Sequence, residues 1–493
     1  MPSLKVNVLA TTTGKAWRVL SSFLFVPLYL KYLGLEQYSL ISFSLVIQSL
    51  LAILDSGLTL TLSREFALSR PICDKWKTFR NLENCYLYIV IFIVLVTVAG
   101  ADVIANSWLN LNEISPTLAA NCIRIVGCTS AFQMLGSFYI GGFMGQERMV
   151  EITMYNIVCG LIRSGLVVVP LVYIHSVLLF FLWQFVCDIL FVVFLRYIIT
   201  PKEYVPQISF FKIDKWEFER VGKFAGGIFL ISIVTAINTQ LDKLVVSKIF
   251  AISELGIYSL AMTASLAVLT LTQSVTTALQ PRFVRIISEN KEKEVISLYL
   301  QSFLVISLIT IALAFVISFN KESIMWIWTG DIDIALKASK YIPLLIIGAA
   351  SISYQTIPYC IAIGNGNTKY NNVMGGASLI ITIPGYLLAG YYCGPNGVAC
   401  VYAVAQCLIT PVYVCFVNKK YLKGVSFVYL VLIDILIPLL AIGGLCYLLS
   451  LFPVFNNRIV DLIRVAIIGV VTLLPCIMYI WILKRRHINS YKK

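Results

Sequence analysis

Seven charged side chains interrupt stretches of this sequence that are otherwise apolar: Arg18, Asp55, Arg124, Arg163, Asp188, Asp242 and Lys243. A charge at the centre of a membrane-crossing helix costs about 2.5–3.5 kcal/mol, so seven of them bare to lipid would cost on the order of 20 kcal/mol. That exceeds the net stability of a typical protein, about 5–15 kcal/mol. Most of them must face a cavity, an opposite charge or the interface. Helical spacing favours a cavity. Lys15, Arg18, Ser22 and Tyr29 share one face of the first segment, and Ser44, Gln48, Asp55 and Thr59 share one face of the second. Asn156, Gly160 and Arg163 align on the fifth, Thr235, Asn238 and Asp242 on the seventh, and Gln273, Thr277 and Gln280 on the eighth. Basic groups in a closed cavity imply an anionic ligand, and the planar fork of arginine suits phosphate. Amides, hydroxyls and tyrosines suit sugar hydroxyls. A substrate with a diphosphate and sugars would use both.

The candidates divide by role. Arg18, Arg124, Arg163, Gln48, Gln273 and Lys243 are candidate substrate contacts, and Asp55, Asp188, Asp242, Arg64 and Arg282 are candidate gating or coupling groups. Each also has a structural reading. Lys15 and Arg18 can snorkel to the interface. Asp242 and Lys243 can pair with each other, and Asp188 can be a satisfied structural carboxylate. Arg163 lies too deep in its segment to snorkel easily. Asp55 either pairs structurally or acts as a gate or coupling group. A carboxylate does not suit direct diphosphate contact, because like charges repel.

The elements that must position these residues are membrane helices. Of 493 residues, 59% are hydrophobic and 13% charged, and the mean hydropathy is +0.87. Soluble domains carry about 25% charged residues, so the solvent here is a bilayer. Fourteen apolar stretches are long enough to span it: 14–33, 38–62, 85–105, 117–143, 152–173, 177–197, 224–248, 254–281, 298–319, 341–363, 373–392, 397–417, 426–449 and 459–483. The net charge of +14 is explained by basic cytoplasmic loops rather than by nucleic acid. Residues 63–84 hold Arg64, Arg70, Lys75, Lys77 and Arg80, residues 196–223 hold six basic side chains, and the tail from Lys484 holds five. Residues 282–297 hold Arg282, Arg285, Lys291 and Lys293. The alternate connections 102–116, 174–176, 393–396 and 451–457 hold no Lys or Arg; only 320–340 breaks the trend, with three basic residues offset by Glu322, Asp331 and Asp333. This bias places both termini in the cytoplasm. The N-terminal segment lacks a cleavage site and is expected to be retained as a helix.

Other chemistry lacks its residues. The 13 cysteines form no CxxC pair or Cys/His cluster, so disulfides and a metal site are not expected. With two histidines, His175 and His487, no DxD or HExxH pattern and no sizeable loop, a membrane polymerase or glycosyltransferase is disfavoured. "GNGNTKY" lacks the ending of a phosphate-binding loop, which leaves direct ATP drive unsupported. The loop after the second segment does not match the G-x-x-x-D-[RK] pattern of major-facilitator transporters.

Three short matches recur at nearly one offset. "LGLEQYSL" and "LGIYSL" pair Tyr38 with Tyr258, "GQERM" and "GNTKY" pair Gly145 with Gly366, and Gln184 pairs with Gln406, at offsets of 220, 221 and 222. The period holds six segments, so both halves enter the membrane in the same direction. The fold expected is an all-α integral membrane protein with two six-helix lobes in parallel repeat. The lobes are 1–200 and 223–420, joined by a cytoplasmic linker at 201–222 and followed by two more helices and a basic tail in 421–493. Such a duplication suits a transporter working by alternating access.

The stretches "LDSGLTLTLSREFA" (54–67), "GGFMGQERM" (141–149), "LDKLVVSKIFAISELGIYSLA" (241–261), "ALQPRF" (278–283) and "IGNGNTKYNNV" (363–373) resemble the Wzx-type lipid-linked oligosaccharide flippases of the polysaccharide-export family, in order and spacing. That family belongs to the MOP superfamily, with the two-lobed multidrug exporters of the MATE type. The resemblance implies movement of undecaprenyl-diphosphate-linked O-antigen units to the periplasmic leaflet of the inner membrane. It implies a cationic lumen that Arg18, Arg124 and Arg163 would fit by position. It implies no cofactor beyond an H+ or Na+ coupling ion. The implied partners are the lipid-linked oligosaccharide, membrane lipids, a polysaccharide polymerase and a chain-length regulator, with no nucleic acid. The first helix lacks the acidic residue that many drug exporters use. The two extra C-terminal segments are shared with peptidoglycan-precursor flippases, which stay an alternative beside other secondary transporters.

Overall fold

The computed structural model describes residues 14, 17, 21, 23–55, 58–68, 71–200, 215–366, 369–422, 424–452 and 457–490; of 215–231, 369–370 and 480–490 it describes the backbone. Among these residues the chain is helical and contains no β-strand. It divides into two compact units, Met1–Gly256 and Ile257–Lys493. The first contains α1 (Phe23–Leu33), α2 (Leu35–Leu51), α3 (Leu58–Ala67), α4 (Ile72–Val103), α5 (Pro116–Gly145), α6 (Met149–Gly160), α7 (Val168–Tyr173), α8 (Val177–Ile199) and α9 (Lys215–Ile249). α10 (Ile252–Ser288) begins in the first unit and continues in the second. The second unit goes on with α11 (Glu292–Phe319), α12 (Lys321–Thr329), α13 (Ile332–Ser339), α14 (Ile342–Gly364), α15 (Lys369–Tyr421), α16 (Phe427–Tyr429), α17 (Ile437–Ser450) and α18 (Arg458–Ser490). The division falls at Gly256, so α9 lies in the first unit, beyond the linker expected at 201–222.

The chain is a multi-pass membrane protein. Eleven helical stretches among the described residues are long and apolar enough to cross a bilayer. One of them, Asn371–Tyr421, contains two expected segments, separated where Gly394 (φ 70°, ψ −166°) leaves the helix just before Pro395. With α1 and α9, each of the fourteen expected segments corresponds to helix over most of its described residues. Phe92, Leu95, Val96 and Val103 of α4 are exposed together, which only a hydrocarbon solvent tolerates as one face of a helix.

The expected single helix 38–62 is instead two helices. α2 runs to Leu51, tightens into one 3₁₀ turn at Ala52–Leu54, and helix resumes at Leu58. The local sequence Asp55-Ser56-Gly57 contains poor helix formers. Asp55 stands at the end of the first piece, and its carbonyl accepts the backbone N–H of Leu58, 3.0 Å away.

Two of the quoted stretches acquire physical reasons. In "LGLEQYSL", the buried Glu36 carboxylate accepts backbone N–H bonds from Asn112 (2.8 Å) and Glu113 (2.7 Å). Gln37 Oε1 accepts from Val177 N at 2.9 Å, where α8 begins. The motif thus ties two connections to the start of α2. In "GGFMG", Gly141 and Gly145 lie four residues apart on α5, and α3 crosses against them. A Cβ on Gly141 would sit 2.7 Å from the Thr59 carbonyl oxygen, and one on Gly145 2.4 Å from that of Ser63. This is the small-residue contact by which membrane helices approach closely. Gly145→Leu is therefore expected to separate α3 from α5 and to lower the amount of folded protein several-fold. Fluorescence-detected size exclusion of a tagged protein would check this; an unchanged monodisperse peak would refute it.

The cores lie within each unit. In the first, Leu62 and Phe66 of α3 meet Trp76, Phe79, Phe138 and Tyr139. In the second, α17 and α18 add Ile442, Cys446 and Ile468 to a cluster with Leu308 and Ile311 of α11. The thirteen cysteines are all free thiols.

Candidate functional site

The fifth segment carries the deepest arginine, and its backbone is shaped to present it. α6 widens into a π-helical turn at Leu161–Leu166 before α7. Pro170 supplies one cause: it has no N–H for the Leu166 carbonyl, and its ring crowds that turn. Neighbouring side chains take up three consecutive carbonyls of the widened turn. Trp183 Nε1 donates to Ile162 O (3.0 Å), Gln184 Nε2 to Arg163 O (3.1 Å) and the Tyr29 hydroxyl to Ser164 O (2.5 Å). α8 and α1 thereby hold the turn that bears Arg163.

Arg163 lines a cavity of about 350 Å³ inside the first unit, with Trp17, Gln133, Asn156, Ser164 and Asp188. Asn156, Gly160 and Arg163, aligned in the sequence, all line it. The guanidinium Nε lies 3.5 Å from Asp188 Oδ1, an ion contact too long for a good hydrogen bond. Asp188 is buried, and its other oxygen accepts from Gln133 Nε2 at 2.9 Å. Arg163 thus neutralises Asp188 while its Nε has no hydrogen-bond acceptor among the described residues. The Trp17 indole N–H is also buried without an acceptor. It packs against Gly160, where a Cβ would lie 3.2 Å from Nε1. A cavity holding unspent donors suits a ligand rich in acceptors, such as a phosphate or a sugar.

The other candidates are dispersed. Arg18 lies outside the described residues. Arg124 makes a partly exposed pair with Asp102 (2.6 Å) and bonds Asn121 (2.7 Å), so it reaches back to the end of α4. Gln48 is half-buried, while Gln273, Arg64 and Arg282 are exposed. Lys243 turns to Gln240 Oε1 at 3.4 Å, and Asp242 is buried. Asp55 is half-buried and accepts hydrogen bonds from the hydroxyls of Thr59 and Tyr86. Among the described residues no group of three His, Cys, Asp or Glu side chains could hold a metal ion.

One cluster escaped sequence reasoning. Arg80 and Glu83, placed by sequence in or beside a basic loop, sit in the first turns of α4 and are each 2% exposed. Glu83 pairs with Arg80, accepts from the Tyr139 hydroxyl (2.8 Å) and bonds Arg196 Nε (2.8 Å). The only signal in the sequence was that Arg80-Asn81-Leu82-Glu83-Asn84 runs directly into an apolar segment.

Residues 4–287 match the family model described as polysaccharide biosynthesis protein, and residues 228–388 match the MatE model. No curated protein matches the chain. Among solved structures, the lipid II flippase MurJ in an inward closed conformation aligns with a TM-score of 0.76 at 16% identity, over 98% of this chain and 99% of that one. An inward-facing multidrug resistance MATE family transporter of the MOP superfamily aligns at 0.67 and 12%, over 83% and 94%. A MOP superfamily transporter from Pyrococcus furiosus, titled for the reverse polarity of its binding pocket, aligns at 0.59 and 12%, over 84% and 94%. The fold is therefore the two-lobe MOP fold, and these structural relatives are transporters and a flippase, not enzymes.

Proposed function

The chain belongs to the polysaccharide biosynthesis protein family, and from that premise we propose that it is a flippase for a lipid-linked oligosaccharide. The cargo is an undecaprenyl-diphosphate-linked O-antigen repeat, carried from the cytoplasmic to the periplasmic leaflet of the inner membrane by alternating access. Both termini are cytoplasmic in this reading, as the basic connections imply. The observation that carries it is the cavity of the first unit, where Arg163 Nε and the Trp17 N–H have no acceptor among the described residues, beside Gln133 and Asn156. Arg163 would hold a diphosphate oxygen, and the amides would meet sugar hydroxyls. H+ or Na+ is the proposed coupling ion, with Asp55, Asp188 and Asp242 as the carboxylates to test.

A second reading is a peptidoglycan-precursor flippase. It is favoured by the full-length likeness to MurJ, which extends over 98% of this chain and so includes α17 and α18. Deleting the gene in its host separates the two. The oligosaccharide reading expects loss of surface polysaccharide, with lipid-linked repeat units trapped on the cytoplasmic leaflet and normal cell walls. Accumulated peptidoglycan precursor with lysis would support the second reading. Units that reach the periplasmic leaflet unpolymerised would overturn both in favour of a polymerase.

A further inference from the structure

A second cavity adjoins the first on the outside of the first unit. It measures about 520 Å³ and is walled by α5, α6 and α8, through Phe143, Ile152, Met154, Val158, Leu190 and Phe194 among others. Met154 and Leu190 are each 62% exposed, so the groove opens sideways to hydrocarbon. Ile140, Tyr155, Cys159 and Phe191 line both this groove and the polar cavity of Arg163. Tyr155 and Phe191 meet edge to face, with centroids 6.0 Å apart and planes at 77°. Side chains, led by one aromatic pair, therefore separate the two spaces. α6 gives Met154 and Val158 to the groove and Asn156 and Gly160 to the cavity.

We infer that the groove holds the isoprenoid tail of the carrier lipid while its diphosphate occupies the Arg163 cavity. The inference rests on the flippase reading above. A long hydrocarbon chain does not follow a charged head into a polar cavity, because it would give up its apolar surroundings. The tail needs a slot beside the head site that stays open to lipid; these two spaces share a wall of side chains, and the Tyr155–Phe191 pair turns aside to let one lipid reach both. Aromatic and methionine walls adapt to a branched chain. The groove is built from α6 and the ends of α5 and α8, next to the turn that bears Arg148. That is the end of the basic connections, hence the leaflet from which the carrier would load.

The test uses the full chain in phosphatidylethanolamine–phosphatidylglycerol vesicles with a polyprenyl diphosphate carrying a diazirine in its tail. Irradiation should label groove residues of α6 or α8. Excess unlabelled polyprenyl diphosphate should remove the label, and excess phospholipid should not. Met154→Trp and Leu190→Trp fill the groove and should cut labelling several-fold at unchanged protein level. Arg163→Lys keeps the charge but not the fork that holds the head, so it should lower the yield of label without moving it out of the groove. Labelling outside the groove, absence of labelling, equal competition by phospholipid, or labelling undiminished by both tryptophans would overturn the inference. Those results leave the flippase reading intact if the deletion strain still traps its lipid-linked units; a deletion strain that flips normally defeats that reading whatever the label does.

Discussion

Arg163→Ala and Arg163→Glu are expected to abolish surface polysaccharide, while Arg163→Lys keeps part of it. One bidentate arginine–phosphate contact contributes about 3 kcal/mol, so losing it weakens binding about a hundredfold. Lysine retains the charge but not the fork. The pair with Asp188 complicates the single variants. Removing the guanidinium leaves a buried carboxylate 3.5 Å from where its counter-charge was. Truncating one member of a buried pair costs about 3–5 kcal/mol, enough to lower protein levels by itself. The double variant Arg163→Ala with Asp188→Asn removes that penalty, because asparagine is neutral and still accepts from Gln133. It should restore protein in the membrane without restoring polysaccharide. Immunoblots of membranes beside stained surface polysaccharide read both quantities. If the double variant transports normally, Arg163 serves only to neutralise Asp188, and the cavity is not the head site.

The helices were legible because the bilayer imposes a length and a polarity on each, whatever its neighbours are. The periodicity of the fifth segment placed Asn156, Gly160 and Arg163 on one face for the same reason, and they line one cavity. What the sequence hid depends on partners far along the chain. Arg80 and Glu83 read as solvent-facing because charge ordinarily does, yet Glu83 is satisfied by Tyr139 and Arg196, which are 56 and 113 positions away. Arg124 sits at membrane depth by segment limits, but its long side chain returns to Asp102 at the helix end. The π-helical turns at Leu161–Leu166 and Leu430–Leu436 each precede a proline, Pro170 and Pro438. Hydropathy averages over such a turn and does not register it.

Asp55→Asn is expected to reach the membrane at normal levels and yet support little surface polysaccharide. The carboxylate stands where α2 ends and accepts from both Thr59, on the first turn of α3, and Tyr86, on α4. It joins the two pieces of the second segment to a neighbouring helix. A break of this kind can absorb the rotation that alternating access needs. Asparagine keeps an acceptor oxygen of the same size for either hydroxyl, so the local geometry survives and only the charge is lost. Asp55→Leu removes the acceptor as well. The Thr59 and fully buried Tyr86 hydroxyls, 2.8 Å apart, can then bond only each other, so one of the two donors loses its acceptor, and an unsatisfied buried group costs about 1–3 kcal/mol. Leucine should therefore lower protein level, and asparagine should not. Tyr86→Phe removes one donor while keeping the carboxylate charge, so it should transport better than Asp55→Asn. Binding of the lipid-linked substrate should be nearly unchanged in Asp55→Asn, because a carboxylate repels a diphosphate and is expected to act on the cycle, not on affinity. If Asp55→Asn transported normally, the charge would have no part in the cycle. Asp55 would then be only the pin that ends α2 and holds the start of α3 against α4.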